Sequence, residues 1–92
     1  MQILINSLDM EFLLESFQNE DFLSVFEQAK NAGEHLAKGQ YPTGKFFVAI
    51  TDKDIDRVQD ALSVLLTQKG IDVNGELNET GLRIDVLIDQ FS

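Results

Sequence analysis

Phe46-Phe47-Val48-Ala49-Ile50, with Gly44 ahead of it and Thr51 behind, decides the fold class of this chain. A short aromatic and β-branched run bounded by a turn residue reads as a strand. Such side chains pack well on a pleated surface and lose rotamer freedom in a helix. A strand needs a partner, and Gln2-Ile3-Leu4-Ile5-Asn6 is the other short β-branched run. The expectation is therefore an α+β chain, mostly helical, with a small sheet containing residues 2–6 and 46–50. A helical Phe46–Ile50 would leave an all-α bundle as the alternative.

Beyond the strand, Thr51 opens a helix, with Asp54 three residues on in the manner of a capping box. Ile55, Val58, Leu62 and Leu65 recur at helical spacing as its buried stripe. Lys53, Asp56, Arg57 and Asp60 mix signs on its solvated side. Gly70 suits the left-handed position after the helix, where Ile71 can cover Leu66. Before the strand, Gln40 to Gly44 reads as a loop around Pro42. Phe22, Phe26, Ala29, Gly33 and Leu36 extend a helix through Lys38 that stops at Gly39. A helical Gly33 costs about 1 kcal/mol relative to Ala and marks a close approach by another element. Met10, Leu13, Leu14 and Phe17 give the first helix its stripe, with Ser7 or Asp9 as its cap. Gln18-Asn19 interrupts it, and Asn19 caps the helix that follows.

Residues 71–88 admit two readings. Leu82, Ile84, Val86 and Ile88 alternate with Arg83, Asp85, Leu87 and Asp89. Asn78-Glu79-Thr80-Gly81 could then turn a hairpin against Ile71–Leu77. Ile84, Leu87, Ile88 and Phe91 also share one helical face, with Asn78 as cap and Leu77 stapled to Leu82. The C-terminal helix is preferred to the hairpin. At 92 residues the chain is read as one domain spanning 1–92.

A composition that is 43% hydrophobic, with seven Phe, is too apolar for an acidic disordered tail. The net charge of −9 must therefore lie on a folded surface. It is unevenly spread. Residues 1–38 carry seven acids against two lysines, residues 39–70 four against four, and residues 71–92 five against one arginine. If residues 9–21 meet residues 72–89, one acidic face results. Such a field attracts cationic surfaces and repels nucleic acid and anionic lipid. With no Cys, disulfides, thiolate metal sites and thiol nucleophiles are all excluded, and a reducing compartment is favoured. Met1 to Leu8 has no basic n-region, and no stretch approaches the roughly 20 apolar residues of a membrane span. The expected location is cytoplasmic.

Chemical motifs are thin. Gly39-Gln40-Tyr41-Pro42-Thr43-Gly44-Lys45 matches the start of a phosphate-binding loop, but Phe46 occupies the hydroxyl position and a helix stands where a strand should. Asp52, Asp54 and Asp56 alternate like a calcium loop whose sixth and twelfth positions, Arg57 and Ser63, cannot serve. His35, the one histidine, lacks an orienting partner and suits the C-terminal end of a helix, with Lys38 one turn on. No carboxylate reads as buried, as acid–base work would require. Phe12 lies off the first helix's stripe beside Glu11 and Glu15, so it is either covered core or an interface anchor.

The expectation is a non-catalytic acidic binding protein that occludes a basic protein partner. Immunity proteins, antitoxins, nuclease inhibitors and nucleic-acid mimics work in this way. Its candidate partner-binding residues are Glu11, Phe12, Glu15, Glu20, Asp21, Glu76, Glu79, Asp85 and Asp89. No cofactor, metal, direct nucleic-acid binding or membrane association is expected, and a homo-oligomer is compatible with the reading. The alternative is a self-associating regulatory or accessory module.

Overall fold

The computed structural model describes residues 1–91. The fold is α+β and mostly helical, and it divides into two compact units, Met1–Thr51 and a second beginning at Asp52. In chain order the first unit runs β1 (Gln2–Asn6), α1 (Ser7–Ser16), α2 (Leu23–Asn31), β2 (Leu36–Ala37), β3 (Tyr41–Pro42) and β4 (Lys45–Ala49). The second contains α3 (Asp52–Lys69) and α4 (Glu79–Gln90).

β1 and β4 pair antiparallel, with Gln2 opposite Ala49, Leu4 opposite Phe47 and Asn6 opposite Lys45. Side chains alternate across a strand, so Ile3, Ile5, Phe46 and Val48 turn inward, and Ile5 and Val48 are fully buried. The strand expected at 46–50 thus lies one residue earlier in the chain. Asn6 ends β1 and also caps α1, its Oδ1 accepting the Asp9 N–H at 2.7 Å. This corrects the expected Ser7 or Asp9 cap. Extended backbone at the end of a strand already has the geometry that a helix cap needs.

Asn19 does not cap α2. Its φ of 61° turns the chain, and α2 starts behind Phe22 without a side-chain cap. Nor does α2 reach Lys38; it stops at Asn31. Gly33 follows with a φ of 91°, a left-handed conformation that glycine adopts without steric cost. An added Cβ there would meet nothing within 4 Å, so the close approach expected at this glycine is not made. The chain then forms a second small ladder, with Ala37 opposite Tyr41 and Leu36 opposite Pro42, where a plain loop was expected. Positive φ at Lys38 and Gly39 makes its turn. His35 joins this segment to β4: its N–H donates to the Lys45 carbonyl, and Thr43 donates to the His35 carbonyl from N–H and from Oγ1. Met10 and Leu13 of α1, Phe22, and Phe26 and Ala29 of α2 complete the unit's core. The Phe22 ring stands edge-on to Phe17 and Phe26, at centroid distances of 5.6 and 6.2 Å, a favourable quadrupole geometry.

In the second unit Ile55, Val58, Leu62 and Leu65 of α3 are buried, as their spacing predicts, along with Ile84 and Leu87 of α4 and Phe91. Gln59 pins the end of α4, its Nε2 donating to the Phe91 carbonyl at 2.9 Å. Residues 82–88 are helical, and Ile71 instead forms an isolated antiparallel bridge with Leu77. Inside that turn Asp72 Oδ1 accepts the N–H groups of Asn74 and Glu76, and Gly75 takes a φ of 80°. Leu77 and Leu82 are 40% and 56% exposed, so a staple between them buries little.

Asn78 closes the junction between the helices. Its Oδ1 accepts the Gly81 N–H at 2.8 Å, capping α4 as expected. Its Nδ2 donates to the Lys69 carbonyl at 2.9 Å, and its N–H donates to the Gly70 carbonyl at 3.0 Å. Gly70 is not left-handed; it is buried against Gly81. A Cβ on Gly70 would lie 2.8 Å from the Gly81 Cα, and one on Gly81 would collide with the Gly70 carbonyl. Both positions are glycine because two backbones touch there.

Gly81→Ala gives a prediction with a diagnostic sign. In an open helix this change stabilises by about 1 kcal/mol; here it should destabilise by about 1–3 kcal/mol through overpacking, measured by urea unfolding. Asn78→Asp keeps the cap acceptor but loses the donor to Lys69. It should cost about 1 kcal/mol, the typical worth of one such bond, and Asn78→Ala should cost more by losing the cap as well.

Candidate functional site

Among the described residues no polar or charged side chain is buried, so the carboxylates are left on the surface. Their arrangement follows from the helix period. In α4 the inward face takes Gly81, Ile84 and Leu87. At 3.6 residues per turn the opposite face then presents Glu79, Leu82, Val86, Asp89 and Gln90, with Asp85 on one flank and Arg83 on the other. Leu82 is 56% and Val86 58% exposed, one turn apart. Asp85 and Asp89 repeat the same step beside them. Two aliphatic side chains therefore form a short ridge edged by three exposed carboxylates. Glu76 is exposed in the preceding turn.

The first unit carries a smaller version. Met10 and Leu13 face inward from α1, leaving Leu8, Glu11 and Glu15 on its outer side. Phe12, considered as an exposed anchor, is half-buried, and the exposed apolar residue of this helix is Leu8. Glu20 and Asp21 are exposed in the turn before α2, where the Leu23 N–H donates to the Glu20 carbonyl and the Ser24 hydroxyl donates to the Asp21 carbonyl. Each group stands within its own unit.

Among the described residues none of Glu11, Glu15, Glu20, Glu76, Glu79, Asp85 or Asp89 is engaged in an ion pair. Arg57 and Asp54 do pair, at 4.0 Å on α3. The unpaired carboxylates can accept hydrogen bonds from Lys or Arg without first giving up an internal partner. Leu82 and Val86 are the residues that sequence reasoning passed over. Val86 was visible only in a strand-like alternation, and Leu82 there and as the staple partner of Leu77; on a helix both fall on the outward side.

The weaker motifs dissolve in the fold. Gly39 to Lys45 runs through the small hairpin into β4, with no helix N-terminus to hold a phosphate. Asp52, Asp54 and Asp56 fall in the opening turns of α3. His35, expected near a helix end, lies beyond α2, its ring edge-on to Phe47 at 4.6 Å. Among the described residues no group of three or more metal-ligating side chains could hold an ion, and no helix is long and apolar enough to cross a membrane.

Some acids oppose the local electrostatics of folding. The C-terminal end of a helix carries partial negative charge, which favours cations in the last turn. α2 and α3 obey with Lys30 and Lys69, whereas α1 and α4 have no base in the last turn and place Glu15 and Asp89 there. Asp89→Asn and Glu15→Gln should each raise stability by about 0.3–1 kcal/mol at low salt, and the lysine variants should raise it further. Glu79→Lys, in the first turn of α4, should lower it. Thermal melts at low and high salt check both signs, since screening should shrink every one of these differences.

Comparison with protein-family models, with curated proteins and with solved structures returned no match.

Proposed function

We propose that this protein is a small acidic binding protein that occludes a basic protein partner, as immunity proteins, antitoxins, nuclease inhibitors and nucleic-acid mimics do. The observation that carries the reading is the outer face of α4, where Leu82 and Val86 are exposed among Glu79, Asp85 and Asp89. Apolar side chains at the centre of a contact supply residence time, and surrounding charge steers the encounter. Glu15 and Asp89 support it from another direction: acids at the negative ends of helices lower stability and serve a purpose outside folding.

The test is affinity capture from the source cell at low and physiological salt, followed by kinetics on the captured protein. A basic partner is expected whose association slows steeply as salt rises, because exposed charges are screened beyond about 8–10 Å. Asp85→Lys with Asp89→Lys should slow association without lowering the melting temperature. Leu82→Ala with Val86→Ala should mainly speed dissociation, by about tenfold or more for a central anchor pair. A partner indifferent to salt, to the charge reversals and to the loss of Leu82 and Val86 would overturn the reading.

A further inference from the structure

We infer that the open edge of β1 pairs with β1 of a second copy of this chain, joining two β1–β4 ribbons into one four-stranded antiparallel sheet. Hydrogen bonding to β4 fixes which groups face the open edge. The Ile50 N–H donates to the Met1 carbonyl, and the Ser7 N–H to the Gly44 carbonyl. Both bonds belong to the register that sets Gln2 opposite Ala49. Antiparallel ladders alternate bonded and non-bonded pairs, so Ile3 and Ile5 direct their N–H and C=O towards β4. Gln2, Leu4 and Asn6 direct theirs away from it. These three residues are exposed, and among the described residues no other strand pairs with β1.

That edge is self-complementary. With a two-fold axis at Leu4, the Leu4 N–H of each copy donates to the Leu4 carbonyl of the other. The Asn6 N–H of each donates to the Gln2 carbonyl of the other. Ile3 of one copy lies opposite Ile5 of the other on the inward face, so neither copy turns its core side outward. On the outward face Leu4 and Phe47, 40% and 49% exposed and directly opposed within each ribbon, become a continuous row of two Leu flanked by two Phe.

Charge selects the second copy as occupant. Exposed strand edges are normally guarded by charged residues, proline or a bulge, yet Gln2-Ile3-Leu4-Ile5-Asn6 has none of these in a chain of net charge −9. The uncharged strand is where two like-charged molecules approach with least repulsion. A strand from a basic partner would gain no charge complementarity at an edge that carries no acid. The far edge of β4 is less accessible, because the Lys45 carbonyl already accepts the His35 N–H.

The experiment is sedimentation equilibrium of the full chain from about 0.05 M to about 1 M salt, where screening shortens to about 3 Å. A monomer–dimer equilibrium is expected that tightens as salt rises, opposite to the salt dependence of binding a basic partner. Leu4→Lys, which sets two ammonium groups side by side on the axis, should abolish the dimer. A circular dichroism melt confirms that the variant folds. Hydrogen exchange supplies a second readout that does not depend on that variant: the Leu4 and Asn6 amides should gain protection with protein concentration, while the Ile3 and Ile5 amides are protected throughout. A chain that stays monomeric under all these conditions would overturn the inference, as would a dimer indifferent to Leu4→Lys or one that leaves those amides unprotected. Asp85→Lys with Asp89→Lys should leave self-pairing in place, so failure here and failure of the acidic-face reading are separately visible.

Discussion

A core made only of apolar side chains is the constraint from which the rest of this structure follows. With no polar side chain buried among the described residues, neither unit can satisfy its backbone from within the core. Helix ends and strand ends must be closed at the edge of the core, and asparagine does much of that work. Asn6 closes the step from β1 into α1, and Asn78 closes the step from α3 into α4. Both do so at the rim, where side-chain amides still reach water. The same constraint drives the carboxylates outward, and the helix period then sorts them into faces. The acidic ridge of α4 is thus the outer half of the pattern whose inner half is Ile84 and Leu87.

Surface composition therefore does not by itself distinguish function from solubility; the proposed binding role rests on where the acids lie. An acid kept merely for solubility could sit anywhere on the exterior, and the N-terminal ends of helices would stabilise it. Asp54 and Glu79 take that favourable place. Glu15 and Asp89 take the opposite one. The proposed binding role also draws on exposed aliphatic side chains on the same helices, Leu8 in one unit and Leu82 with Val86 in the other.

The fold class and the buried stripe of α3 were legible because each rests on periodicity in one continuous segment. The cap at Asn78 was legible for a similar reason, its signal lying within three residues of its effect. What stayed hidden depends on conformation or on distant contacts. Gly33 and Leu36 continue the spacing of Phe22 and Phe26, so the pattern ran on as a helix, whereas the positive φ of Gly33 had already ended it. The two-residue ladder of Leu36–Ala37 with Tyr41–Pro42 is too short to show any period. Leu82 and Val86 could be placed on the outside only after the last segment was known to be helical. Phe12 was weighed by its charged neighbours, yet Leu8, one turn earlier, takes the more exposed position.

The contact between Gly70 and Gly81 has a consequence for how this sequence can change over time. Surface acids can be exchanged one by one at small cost to the fold, so folding alone does not hold their pattern. The two touching backbones leave no such freedom: a side chain at either position meets the other strand of the junction, and substituting one glycine cannot relieve the crowding at its partner. Asn78, bonded to both sides, is tied to the same geometry. Distant relatives of the second unit should therefore be recognisable by a Gly-x7-Asn-x2-Gly spacing, whatever charge their surfaces carry.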